Sequence, residues 1–264
     1  MTSDLSFKAQ VPVIDANVGV GHTNVRPAPI DSPDELLAEM HRHGVERALI
    51  YHQQGNILSP ISANEFLREW LEGHEDVFIP QWMAGPEPDS LAQLRELRAA
   101  GEVSNVRFHE SGASGVPFVD WVYCDILDWL QEEQIPVWIS LHDHWDSTWT
   151  QRSNTPVTEI MDILAAYPDL IAVLVGAHYN HSHYVRPFLK RPNTYVDLSR
   201  YEVLRAIEEL VDEFGPDRLL YGSFYPRLAM GPMLYYIHTL GFEEATLEAI
   251  CAGNLLRLLK GGRK

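Results

Sequence analysis

Seven of the twelve histidines, at positions 52, 109, 142, 144, 178, 181 and 183, fall at or just beyond the ends of short apolar runs. Imidazole titrates near neutral pH and ligates metals, so this placement suits proton transfer or metal binding. His109, His142 and His178 are candidate proton carriers, and Asp143 and Asp197 are candidates to orient them. Arg107 lies two residues before His109, which puts both on one face of a strand. A guanidinium fork in that place suits a carboxylate held in a bidentate manner; a salt bridge to Glu110 or Asp143 accounts for it equally. Asn17, His52, Tyr179, Arg200 and Tyr225 end other runs and are candidate substrate contacts, while Trp145, near Trp149, suits the wall of a pocket for a planar ligand. Asp15 and Asp197 also end such runs, where a carboxylate needs a partner or a role. In HYNHSHYVRP, residues 178–187, His181 and His183 read as surface residues of a loop or a first helical turn. There is no GxSxG, no phosphate-binding P-loop and no Cys/His pair at recognisable spacing, which leaves esterase and phosphoryl-transfer readings weak.

The elements that carry these residues follow one pattern. Short β-branched runs alternate with longer segments of helical period, as βα units of a parallel sheet require. The predicted strands are Val11–Ala16, Val45–Tyr51, Val77–Met83, Val103–Phe108, Ile135–Leu141, Leu170–Ala177, Thr194–Leu198 and Arg218–Gly222. Helical stretches such as Ser32–His43, Ser90–Ala100, Trp121–Glu133 and Tyr201–Phe214 separate them, and Glu243–Leu259 reads as a closing pair of helices. Eight strands with helices in 264 residues predict an α/β fold, a (β/α)8 TIM barrel. The rival open sheet expects a glycine-rich turn after its first strand, and GVGHTN is not GxGxxG. No linker or repeat interrupts the chain, so residues 1–264 are expected to form a single barrel domain with C-terminal closing helices.

The formal charge of −17 argues against nucleic acid and anionic membranes as partners, since each needs a basic face. No apolar run reaches the roughly 18 residues of a membrane-spanning helix, and no secretory h-region precedes the first strand. The expectation is a soluble cytoplasmic protein with a small-molecule substrate; self-association into a homo-oligomer stays open. Cys124 and Cys251 are far apart and are expected to stay reduced and buried.

Taken in order, VPVIDAN, HRHGVERALIY, NVRFHES, IPVWISLHD, YPDLIAVLVGAHYN, RPNTYVDLSRY and FGPDRLLYGSFYP resemble the amidohydrolase-related family, amidohydrolase 2 type. The resemblance covers most of the chain. It implies a metal-dependent-hydrolase-like barrel with a divalent metal at its mouth, in a branch that includes decarboxylases and lactone hydrolases. The family's ligands fall on Asn17, Gly19, Ser140, Gly176 and Phe224, none of which carries an imidazole, thiolate or carboxylate. No metal ligand is therefore assigned and no cofactor is expected. His142 and His178 lie two residues beyond Ser140 and Gly176, on the same strand faces, and a divalent metal at such a relocated site is the runner-up.

Three readings stay open. The first is a metal-independent acid/base enzyme of lyase, decarboxylase or isomerase type, acting on a small anionic, ring-bearing metabolite. The second is a hydrolase with a relocated metal. The third is a non-catalytic relic that binds a metabolite or a protein.

Overall fold

Ser32 and Gly44 illustrate how locally the helices are set. Ser32 accepts a hydrogen bond from the Glu35 amide at 3.3 Å, Pro33 occupies the first turn, and Gly44 ends the helix at φ 76°. A computed structural model describes residues 7–22, 32–108, 116–141, 157–178 and 181–261. In order these give β1 (Ile14–Val20), α1 (Pro33–His43), β2 (Arg47–His52), α2 (Pro60–Leu71), β3 (Phe78–Pro80), β4 (Trp82–Ala84) and α3 (Ser90–Ala99). They continue with β5 (Val106–Phe108), α4 (Asp120–Glu132), β6 (Val137–Ser140), α5 (Val157–Ala166), β7 (Ala172–Val175) and α6 (Ser182–Leu189). The chain ends in β8 (Thr194–Asp197), α7 (Ala206–Phe214), β9 (Leu219–Leu220), α8 (Gly231–Thr239), α9 (Glu244–Glu248) and α10 (Asn254–Gly261).

All paired strands run parallel, β1 to β3 in one sheet and β4 to β9 in the other. The Ala16 amide donates to the Tyr221 carbonyl at 3.0 Å and the Gly19 amide to the Tyr225 carbonyl at 2.7 Å, so the last strand meets the first. The fold is the (β/α)8 barrel. The expected third strand is divided at Gln81 into β3, which pairs with β2, and β4, which pairs with β5. The Gln81 amide still donates to the Ile50 carbonyl at 2.8 Å, continuing the β2–β3 ladder in which Ile50 lies opposite Pro80. Nine short strands therefore stand, among the described residues, where eight were predicted.

Two apolar layers result. Val13, Val106, Val137, Leu174 and Leu219 face the helices, while Ile14, Leu49, Ile79, Trp138, Val173 and Leu220 form an inner cluster. Leu255, Leu258 and Leu259 of α10 join that inner cluster. Asn254 ties the same helix to β9 by donating to the carbonyls of Pro216 at 2.7 Å and Leu219 at 2.8 Å. Each such buried side chain contributes about 1.5–3 kcal/mol, so the inner layer fixes the strands whose C-terminal ends carry the polar residues. Neither cysteine is paired; Cys251 is buried and Cys124, against expectation, is half-buried. No helix among the described residues is long and apolar enough to cross a membrane.

Candidate active site

Arg107 is fully buried at the centre of the polar end of the barrel. It stands on β5 with its Cα in register with Met83 of β4 and Trp138 of β6. Its Nη1 donates to Asn17 Oδ1 at 3.3 Å and to Gln81 Oε1 at 3.2 Å, and its Nη2 donates to Ser140 Oγ at 2.8 Å. The guanidinium also lies over the Tyr51 ring, 4.0 Å from the centroid. Residues from β1, β2, the β3–β4 break and β6 thus converge on one cation. These three acceptors are neutral oxygens, and they hold the fork in place. The alternative partners Glu110 and Asp143 lie outside the described residues.

Asn17 links this group to two buried carboxylates. Its backbone amide donates to Asp15 Oδ1 at 3.0 Å, and its Nδ2 donates to Ser199 Oγ at 3.4 Å. The same Asp15 oxygen accepts from the Ser223 amide at 2.9 Å, which pins the end of the last strand to β1. Burial pushes the Asp15 carboxyl up to about 7; the bonds from Ser223 and Asn17 oppose this, and the charge of Asp197 adds to it. Asp197 accepts from the Ser199 amide at 2.8 Å. Its other oxygen approaches Gly222 so closely that a Cβ there would stand 2.2 Å away, and only glycine allows that approach.

His52, on β2, is buried against the Phe66 ring at 5.4 Å, and Gly21, at φ 75°, leaves room for its imidazole. Burial pushes the imidazole down to about 4, and the nearby His22 adds to the effect, so His52 is neutral at pH 7. His178 follows β7 and is half-buried, its ring edge-on to that of His181 at 4.2 Å and 65°. His181 is thus a half-buried neighbour of a candidate proton carrier, and not the surface residue expected, whereas His183 is exposed. Arg200 is half-buried just past β8.

Tyr225 is turned elsewhere. It packs on the outer core, where the charges of Glu39 and Arg42 from α1 act on its phenol. Phe224 causes the turn: it is buried, donates its amide to the Asn17 carbonyl at 3.0 Å, and adopts φ 60°, which breaks strand alternation. The candidates His109, His142, Asp143, Trp145 and Tyr179 lie outside the described residues.

Gln81, Ser140 and Tyr51 were not among the candidate site residues, yet all three bear on Arg107. Their inward position on alternating strands was the available signal.

The family model described as Amidohydrolase matches residues 27–261. The chain belongs to the amidohydrolase family. It is accordingly an enzyme of the amidohydrolase-like lyase or hydrolase type. Among solved structures, an uncharacterised TIM-barrel protein from Bordetella bronchiseptica superposes with a TM-score of 0.76 at 19% identity, covering 96% of this chain and 100% of that one. A dihydroxybenzoic acid decarboxylase from Polaromonas, with bound manganese and the inhibitor 2-nitroresorcinol, superposes at 0.75 and 15% identity, covering 95% and 97%. A 5-carboxyvanillate decarboxylase from Novosphingobium aromaticivorans, with manganese and 4-hydroxy-3-methoxy-5-nitrobenzoic acid, superposes at 0.75 and 15% identity, covering 98% and 99%. No curated protein matches the sequence.

These neighbours correct the expectation that no cofactor takes part. Two barrels of this shape hold manganese, so the expectation of no cofactor does not stand. The space between Asn17 and Ser140, on which two of the family's ligands fall, does not fit such an ion. It holds the Arg107 guanidinium, and among the described residues no three His, Cys, Asp or Glu side chains are disposed to bind a metal.

Proposed function

We propose that this protein is a lyase of the decarboxylase type acting on a small ring-bearing carboxylate, with Arg107 as the anchor for the carboxylate. The observation that carries the proposal is the buried guanidinium, held by Asn17, Gln81 and Ser140 and backed by Tyr51. A fork fixed from four sides loses little entropy when an anion arrives, and a planar carboxylate matches its geometry. The decarboxylases among the structural neighbours act on ring-bearing acids, which supports the same substrate class.

In decarboxylation the bond between carboxylate carbon and ring carbon breaks, and its electron pair stays on the ring carbon until a proton arrives there. A general acid must stand within hydrogen-bond reach of that carbon. His178 is the described candidate for this role, with His109 and His142 beside it in the proposal. Asp143 and Asp197 orient the imidazoles, and Asn17 keeps the guanidinium in place. His52 is neutral and contributes a hydrogen bond. Arg200, Tyr179 and Trp145 complete the contacts to the ring. The chain is read as one domain of a cytoplasmic enzyme.

The test is carbon dioxide release from a panel of hydroxylated benzoic acids, with and without added manganese. At least one acid is expected to turn over, and Arg107→Lys should lower kcat/KM by about 10²-fold, because an ammonium cannot reproduce the bidentate fork. Hydrolysis of lactones or amides without any release of carbon dioxide would replace this reading with a hydrolase.

A further inference from the structure

A guanidinium carries five N–H donors and no acceptor, so each polar group that meets Arg107 has to turn an oxygen toward it. Gln81 does so with Oε1 at 3.2 Å. This fixes the orientation of an amide that could otherwise be placed either way round: its NH2 faces away from Arg107. Gln81 is fully buried, and that NH2 has no hydrogen-bond partner among the described residues. Asn17 is held in the same sense, oxygen toward Arg107, but its NH2 has Ser199 to bond. Ser140 accepts from Arg107 and keeps one hydroxyl proton to give. Buried donors of this kind are rare unless a partner completes them.

Backbone geometry explains why Gln81 is there. Its backbone amide donates to the Ile50 carbonyl at 2.8 Å, the next rung of the β2–β3 ladder after the Ile50–Pro80 pair, so Gln81 keeps strand alternation. Its side chain keeps the inward place between Ile79, in the inner cluster, and Met83, which packs with Tyr51. The two ends of one amide are only a bond angle apart, so a carboxylate that accepts from the Gln81 NH2 with one oxygen can turn its other oxygen to the guanidinium.

We propose that Gln81 is the second arm of the carboxylate clamp: its NH2 donates to one oxygen of the substrate carboxylate while Arg107 donates to the other. The proposal rests on the carboxylate reading above and adds a specificity-determining residue to it. A neutral amide in place of the carboxylate would set its own NH2 against one of these donors, so the clamp favours carboxylates over their amides.

The test uses benzoate and benzamide as probes in calorimetric titrations of the full chain. The natural protein should bind benzoate at least about tenfold more tightly than benzamide, and Gln81→Met should weaken benzoate by about tenfold, the size of one lost bond to a charged group. Gln81→Glu keeps the shape and places a carboxylate beside Arg107. It should weaken benzoate further still and strengthen benzamide, whose NH2 then meets an acceptor in place of a donor, and it decides the matter if the methionine variant does not fold. No preference for benzoate in the natural protein would overturn the carboxylate reading and this inference with it. A preference that Arg107→Lys abolishes and both Gln81 variants retain would overturn this inference alone.

Discussion

Arg107 Nη2 donates to Ser140 Oγ across 2.8 Å, and this bond joins the side chains of adjacent strands inside the barrel. Both residues are buried. Removing the hydroxyl strips one acceptor from a fully buried charged donor. Ser140→Ala is therefore expected to destabilise the fold by about 1–3 kcal/mol. Urea denaturation checks this, and a variant as stable as the natural protein would show the bond to be dispensable.

Asp15 predicts a pH dependence of stability. Its carboxyl is raised from 3.8 to about 7 in the folded chain, so across that interval the folded state binds a proton that the unfolded state has lost. Stability from this group is full below pH 4 and declines as pH rises toward 7, by up to a few kcal/mol. Asp15→Asn cannot ionise and should lack this decline, so its melting temperature should gain on that of the natural protein between pH 5 and pH 8. Parallel melting curves at all pH values would contradict the raised pKa.

Gly222 predicts a steric limit. A methyl group there would lie 2.2 Å from Asp197 Oδ2 and 3.0 Å from Asn17 Cβ. Neither neighbour is the free end of a long side chain, so Gly222→Ala should destabilise by about 1–3 kcal/mol through overpacking. Denaturant unfolding measures it.

The manganese seen in related barrels predicts an assay with a clear reading. The place between Asn17 and Ser140 holds a guanidinium, so neither residue is expected to ligate the ion. Asn17→Ala and Ser140→Ala should change manganese affinity by less than the roughly tenfold that even an outer-shell partner is worth. Electron paramagnetic resonance titration gives the affinities; a larger loss in either variant would return the metal to the family's own place.

Much of the fold could be read from the chain because parallel strands buried on both faces appear as continuous runs such as AVLV, and the intervening helices keep their own period. Arg107 could be placed inward by alternation for the same reason. Alternation also misled at one point. Phe224 adopts φ 60° and turns Tyr225 to the outer layer, and a phenylalanine side chain gives no sign of a left-handed backbone. Gln81 does not stand out in the sequence because an amide neither titrates nor ligates metals strongly. Its importance comes from facing a cation contributed by a strand 26 residues away in sequence.

His178 carries the last prediction. It stands half-buried two residues past Gly176, at the end of β7, with its ring edge-on to His181 at 4.2 Å. A general acid at this position would be worth about 10²-fold or more in turnover. His178→Ala should therefore lose at least that much kcat, while its melting temperature changes little, because a half-buried polar ring at the barrel mouth contributes less than the packed inner layer. His178→Gln separates proton transfer from hydrogen bonding: it can donate a hydrogen bond but cannot titrate, so its kcat should stay low and the acidic or basic limb of the pH–rate profile should disappear. His181→Ala removes only the neighbouring ring, so it should shift that limb along the pH axis without abolishing it. Recovery of full turnover by glutamine, with the limb intact, would assign His178 to positioning and leave the proton to a different group.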